Sequence, residues 1–405
     1  MPTYNYDLMV IGNTSTARYA ALFAAQQKSR VALVTQGQPL RNSVLRSQSA
    51  QHQTQATDKY DPEHPAIAAA QAQLSTYALA SAGVDEITVS GTWTNDPHWI
   101  WQTEPAGLQA RRYLLATGAQ IAAPTIAQDL EPVLTLDQLL NQSWAELPEH
   151  LTLIGATPTA LVTAQSLQRL GKTVTLVTDD RLLPQEDPVV VQRLQAILEA
   201  EGIKIYTHRS VTQVQQRGAR QGLQAGELEI ESDRLIWAEL TQPDLAGFPV
   251  QQPIRVNRNL RCLNALHLYA CGAVLGGYDS PGIGQYEAAI AVHNCLNSRQ
   301  RTVNYQAVPW VLATNPPLAR VGLTPQQAHA RYGKAMQIHT LYRQALPSAI
   351  LTETTTGLCR WVTDEQGRIV GAMLLGQGAD VAVGAIALAI QQRLRVDQLP
   401  ASFWG

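Results

Sequence analysis

The sequence predicts an α/β protein: two three-layer domains, each on a doubly wound parallel sheet, followed by a C-terminal α+β domain. Three observations carry this reading. An apolar run ending in glycine, Asp7-Leu-Met-Val-Ile-Gly12, leads into an Ala-rich segment of helical spacing and then a second apolar run, Arg30 to Thr35. The same strand, turn, helix, strand order returns at Leu151-Thr-Leu-Ile-Gly155, with turn glycines 143 positions apart (155 − 12). Beyond Pro309 the pattern changes to short strands and turns that end in a small-residue helix.

The elements follow in order. Thr16 to Gln27 is the first helix, and strand, tight turn, helix and strand within about 30 residues make a βαβ unit. Arg41 to Ala66 is polar and reads as a loop or irregular helix, before Ala-rich helix resumes from Ile67 to Ser81. Thr88 to Thr103 and Leu108 to Leu115 alternate like strands around an Asn-Asp-Pro turn. In the second unit the helix covers Thr159 to Leu170 and stops at Gly171, and Thr173 to Val177 is the next strand. Pro188 to Glu201 is amphipathic, and Leu223 to Ile236 reads as a hairpin through Gly226. Thr324, Pro325 and Gln327 form a helix-start signature of N-cap, first-turn proline and capping-box partner. A hairpin, Leu358 to Leu375, and a helix, Asp380 to Gln392, close the chain.

Composition sets bounds. At about 150 residues per domain, 405 residues fit two or three domains. Thirty Lys+Arg against 32 Asp+Glu give a net charge of −2, which argues against a nucleic-acid binder, since displacing counterions needs a clustered basic excess. The opening residues lack the basic and apolar regions of a signal peptide, and the longest apolar run, Val381 to Ile390, is too short for membrane insertion. Four cysteines (Cys262, Cys271, Cys295, Cys359) make no disulfide framework. The expectation is a soluble cytoplasmic protein.

The order of parts resembles the pyridine nucleotide–disulfide oxidoreductases, in particular mercuric reductase and dihydrolipoamide dehydrogenase. Leu115-Ala-Thr-Gly118 resembles the strand-closing motif of that family. Leu153-Ile-Gly155, Arg169-Leu-Gly171 and Arg181 to Pro188 resemble its NAD(P) domain, and Leu268-Tyr-Ala-Cys-Gly272 the strand before its second flavin contact. Val308-Pro, Val321-Gly-Leu-Thr324 and Asp364 to Leu375 resemble its interface domain. The resemblance implies an FAD-type Rossmann domain (1–148 with 239–303), an NAD(P)-type Rossmann domain (149–238), an interface domain (304–405), and an isologous homodimer.

Fold does not give function, so each implied site is read separately. The first phosphate turn, Gly12-Asn13-Thr14-Ser15-Thr16-Ala17, keeps the turn glycine and the small packing residue. It carries Thr14 where the family's G-x-G-x-x-G has the glycine that approaches pyrophosphate. Hydroxyls of Thr14, Ser15 and Thr16 at a helix start could bind phosphate or merely cap the helix. The second strand ends in Thr35, not the acid that receives an adenosine ribose. The Gly-Asp pair expected near the ribityl chain is Gly272-Ala273. Two missing carboxylates remove about 3–6 kcal/mol, some two to four decades of affinity.

The second turn repeats the change: Gly155 is kept, Thr157 replaces the middle glycine, and Pro158 removes an N–H. In the loop after the next strand, Asp179 or Asp180 is able to reach a ribose and Arg181 a 2′-phosphate, or the three make a solvated charged loop. Gln38 to Thr57, where the family carries its redox pair, has no cysteine. The family's His-Pro acid–base segment is not reached by Gly405, and His329 and His339 read as packing or surface residues. Cys271 reads as core. Gly118 and Gly171 serve turns.

Folding devices are kept and site residues replaced, the pattern of a pseudoenzyme. The leading expectation is a dimeric scaffold or regulatory protein that binds a protein partner, with no tightly bound cofactor and no metal. Of the scattered tryptophans, Trp404 is the candidate anchor. The alternatives are an oxidoreductase using FAD and NAD(P) without a cysteine pair, and a nucleotide or metabolite sensor using one Rossmann site.

Overall fold

The computed structural model describes residues 4–57, 59–95, 99–102, 107–121, 126, 134–239, 241–245, 247–249, 253–277 and 280–399. Two compact units divide the chain: residues 1–45, 63–120 and 241–303 in one, and 46–62, 121–240 and 304–405 in the other.

The first unit is built on five parallel strands in the order Leu268–Ala270, Ala110–Leu115, Tyr6–Ile11, Val31–Val34, Val84–Ile87. Alternation along the central strand sorts its side chains to two faces. Leu8 and Val10 pack with Ala17, Ala20, Ala21 and Ala24 of the helix Ser15–Gln26 and with the helix Pro281–Leu296. Those four alanines recur at helical spacing and are fully buried, so the helix lies close to the sheet. Met9 and Ile11 face the other way, toward Trp101 and Phe248, where the antiparallel strands Thr92–Asn95 and Trp99–Gln102 add a third layer. Asp96 and Pro97 of the expected turn lie outside the described residues.

The second unit repeats the plan with five parallel strands ordered Lys204–Tyr206, Thr173–Val177, His150–Ile154, Arg234–Trp237, Leu134–Thr135. The helix Pro158–Arg169 follows the central strand. The hairpin turns at Gly226 (φ +66°), joining Arg220–Ala225 to Leu228–Ser232, and a third strand, Gln213–Arg217, extends it. The same unit contains a five-stranded antiparallel sheet, Trp310–Leu312 through Ile369–Leu375, with the helix Ala379–Gln391 packed on Ala319, Val321, Ala372 and Leu374. The capping box at Thr324 and Gln327 forms as the sequence predicts.

One segment differs from its sequence reading. Much of Arg41 to Ala66 is a regular helix, Ser43–Thr57. Its polar face is not solvated: Ser47, Gln51, Gln53 and Thr54 are buried. The Gln51 amide exchanges hydrogen bonds with Gln165 (2.8 Å) and Ser166 (2.7 Å), so tertiary partners hold residues whose composition favours a loop. No helix among the described residues is long and apolar enough to cross a membrane.

Candidate functional site

In an open α/β sheet, ligands bind outside the carboxyl ends of the strands, where the strand order reverses. In the first sheet that point lies between Tyr6–Ile11 and Ala110–Leu115. Gly12 begins the turn with φ +124°, and a Cβ there would come within 2.6–2.8 Å of the Ala116–Thr117 backbone, so only glycine fits. Thr14 caps the helix Ser15–Gln26, accepting from the N–H of Ala17 at 3.0 Å. The same hydroxyl donates to the Ala116 carbonyl at 2.8 Å. Its methyl lies 3.0 Å from where a Cβ on Gly118 (φ +78°) would be. Thr14 therefore spans the crevice from helix start to strand end.

The neighbouring candidates are engaged by the fold as well. Ser15 opens the helix, and Thr16 is buried against Gly284, where a Cβ would come 2.2 Å from its hydroxyl. Thr35 is buried, and its hydroxyl lies 3.4 Å from the Ile87 carbonyl. The loop after the second strand folds over the turn: the Arg41 N–H donates to the Asn13 carbonyl at 2.8 Å, and its guanidinium pairs with Asp244 at 2.6 Å. Gly272 (φ +78°) donates its N–H to the buried Glu287 carboxylate at 2.6 Å, and Ala273 follows in a short helical turn. With Thr14 across the crevice, Thr35 tied to Ile87 and no acceptor on Ala273, these positions do not fit a flavin dinucleotide held in the family's manner.

The second crevice, between His150–Ile154 and Arg234–Trp237, repeats the arrangement. Thr157 accepts from the N–H of Ala160 at 3.3 Å and donates to the Ala238 carbonyl at 3.2 Å. Pro158 takes the first helical position. Over the turn glycine stands Glu239: a Cβ on Gly155 (φ +106°) would lie 2.4 Å from its Cβ. Burial, and then the charge of Asp179, push the Glu239 carboxyl above its ordinary range. Arg181 is turned into its own loop, donating to the carbonyls of Pro184 and Glu186. A pyridine nucleotide held in the family's manner would bring its pyrophosphate to this turn beside the Glu239 carboxyl, which does not fit it. Sequence reading missed Glu239; its signal was an acid two residues after the strand that faces the turn glycine.

The thiols are structural. Cys262 and Cys271 are buried, and all four cysteines are free. Burial pushes the Cys262 thiol to about 11 and that of Cys359 to about 12. Cys271 is also raised well above its ordinary value, by burial first and then by the Glu287 charge. Reactive thiols need the opposite environment. His339 stacks on Trp361 with ring centroids 5.3 Å apart, and His329 lies in the last turn of the helix Pro325–Tyr332. Among the described residues no three potential ligands gather around a metal position. Trp404 lies outside the described residues.

Known proteins match this architecture. Residues 6–292 match the pyridine nucleotide-disulphide oxidoreductase family, and residues 308–404 its dimerisation domain. The chain is 28% identical to mercuric reductase of Streptomyces lividans, over 97% of this chain and 92% of that protein. It is 28% identical to dihydrolipoyl dehydrogenase of Bacillus subtilis, over 71% of this chain and 65% of that one. Among solved structures, the HOCl-induced flavoprotein disulfide reductase RclA from Escherichia coli aligns with a TM-score of 0.83 at 22% identity, covering 96% of this chain and 94% of that one. LpdA from Mycobacterium tuberculosis aligns with a TM-score of 0.83 at 21% identity, covering 98% and 96%. With more than two thirds of its length matched by the first family description alone, the chain belongs to the pyridine nucleotide-disulphide oxidoreductase family.

Proposed function

We propose that this chain is a pseudoenzyme of the flavin disulfide reductase family: a homodimeric scaffold or regulatory protein that binds a protein partner and performs no dithiol redox catalysis. The observation that carries the reading is the paired use of Thr14 and Thr157. Each occupies the middle of a dinucleotide turn and commits its hydroxyl to the helix cap and to the facing strand end. Two further observations support it. The helix Ser43–Thr57 has a buried polar face and no cysteine, so the exchange chemistry of two adjacent thiols has no residues to run on. The second crevice presents Glu239 where a phosphate would need positive charge.

The dimerisation-domain match supports the homodimer. Relatives named mercuric reductase and dihydrolipoyl dehydrogenase define the ancestry. In this reading their two nucleotide domains persist here as a framework, the first formed by 1–148 with 239–303 and the second by 149–238.

The visible spectrum of protein purified without added cofactor tests the proposal. A colourless protein that shows no thermal shift with FAD, NADH or NADPH and retains a stoichiometric protein partner in pull-down supports it. A flavin absorption band at one equivalent per chain, bleached by NADH or NADPH, overturns it in favour of an oxidoreductase acting without cysteines. Thermal stabilisation by one nucleotide without flavin would favour a sensor.

A further inference from the structure

At the end of the strands of the first parallel sheet opposite to Gly12 lies a polar cavity of about 650 Å³. Asp7, Arg111 and Arg112, from the opening residues of two adjacent strands, line it together with Arg261, Tyr269 and the last turn of the helix Pro281–Leu296. Three arginines and one acidic residue are among those that line this cavity, in a chain whose net charge is −2. That carboxylate is already shared: Asp7 lies 3.6 Å from Arg30 and 3.7 Å from Arg111.

The other two arginines differ in their engagement. Arg112 is anchored, donating to the Arg111 carbonyl at 2.9 Å and lying 2.8 Å from His267 Nδ1. The Arg261 guanidinium has no hydrogen-bond or ion-pair partner among the described residues; its hydrogen bonds are those of its backbone, the N–H donating to Asn257 Oδ1 at 3.1 Å and the carbonyl accepting from the Asn257 N–H at 3.0 Å. Both arginines act on the phenol of Tyr269, which donates to the Asn294 carbonyl at 3.2 Å.

A bland explanation would make these arginines caps for the helix end, where carbonyls need donors. Two of the last four carbonyls are already served, and the Arg261 side chain donates to none of the four. Asn294 O accepts from Tyr269 and from Gln300 at 3.1 Å, and His293 O accepts from the backbone and side chain of Asn297 at 2.9 and 3.0 Å. The Arg261 guanidinium acts on Tyr269 through its charge alone and keeps its donors for a ligand. A cationic or apolar occupant is disfavoured by the charge and by a lining in which Leu296 is the only aliphatic side chain.

We propose that this cavity binds a phosphate-bearing small molecule, its phosphate held between Arg112 and Arg261. A tetrahedral, doubly charged group matches two guanidinium forks better than a monoanion does. The cavity is large enough for an organic moiety beyond the phosphate. The proposal stands whether or not either crevice holds a dinucleotide.

Isothermal titration of the full chain at constant ionic strength tests this, with inorganic phosphate, pyrophosphate and glycerol phosphate as probes. Saturable binding of at least one probe is expected, weakened tenfold or more in Arg261→Gln and partly restored in Arg261→Lys. Arg193→Gln, which changes an exposed helix residue outside the cavity, should bind as the unmodified chain does. Equal binding of inorganic phosphate and the ester identifies a free anion as ligand; binding of the ester alone identifies an organic phosphate. Both support the proposal. Absence of saturable binding for every probe, or unchanged binding in an Arg261→Gln protein of unaltered circular dichroism, overturns it.

Discussion

Thr14 donates its hydroxyl proton to the Ala116 carbonyl across the first crevice at 2.8 Å, although the two residues lie 102 positions apart in the chain. The same oxygen caps the helix through Ala17. Thr14→Ala removes both interactions, at about 1 kcal/mol for the cap and about 1 kcal/mol for the hydrogen bond. Thr157→Ala should cost a similar amount at the second turn. Serine at either position keeps both bonds and should stay near the unmodified stability. Urea denaturation checks this: the midpoints should fall for the alanine variants with the slope unchanged.

Glu239 makes the second crevice titrate. Its folded-state pKa is raised, chiefly by burial and then by Asp179. Below the ordinary carboxylate pKa both folded and unfolded chains are protonated and nothing is lost. As pH rises from there through the raised folded value, the unfolded chain ionises first and the native state loses stability. Glu239→Gln should therefore be more stable than the unmodified chain at neutral pH, with the advantage vanishing in acid. Parallel urea melts at the two pH values check both halves of this expectation.

Asp187 is a buried carboxylate with two duties. One oxygen accepts from the N–H of Val189 at 3.0 Å to cap the helix Pro188–Ala200, and the other takes Arg360 at 2.8 Å. Its side chain is 2% exposed. Arg360→Met leaves that charge buried without its partner and should cost about 3–5 kcal/mol. Adding Asp187→Asn to Arg360→Met should recover part of the loss, because the amide oxygen still caps the helix. Equilibrium denaturation of the two variants gives the comparison.

The thiols should be silent in the native state. With Cys271 and Cys262 buried and the Cys262 and Cys359 pKa values near 11 and 12, thiolate is scarce at mildly alkaline pH. An aromatic disulfide reagent should react slowly with native protein and release four equivalents after denaturation. A rapid native equivalent would contradict the burial described above.

On the helix Ala379–Gln391, Val381 and Leu388 are 78% and 57% exposed and stand seven residues apart on one face. Exposed apolar pairs on an isologous surface are covered by the second copy. Leu388→Glu should shift the homodimer proposed above to monomer in light scattering, with little loss of secondary structure.

Much of the fold was legible because its signals are local. The alternation of Leu8 to Ile11, the alanine spacing in the first helix, the capping box at Thr324 and Gln327 and the glycine turns each act over a few residues. The helix Ser43–Thr57 was not legible, because Gln51 finds its partners at Gln165 and Ser166, more than a hundred positions away. The candidate sites divide in the same way. The sequence by itself determined which residue types stand in each turn: Thr14, Thr35, Ala273, Thr157, and no cysteine pair. Only the tertiary structure decided that the two threonines reach the facing strand ends, that Arg181 turns into its own loop, that Glu239 covers Gly155, and that the Arg261 guanidinium has no hydrogen-bond or ion-pair partner among the described residues. Those outcomes depend on strand order, which joins distant segments by parallel pairing and crossover, and a hydroxyl or carboxylate carries no mark of the neighbour that pairing will bring.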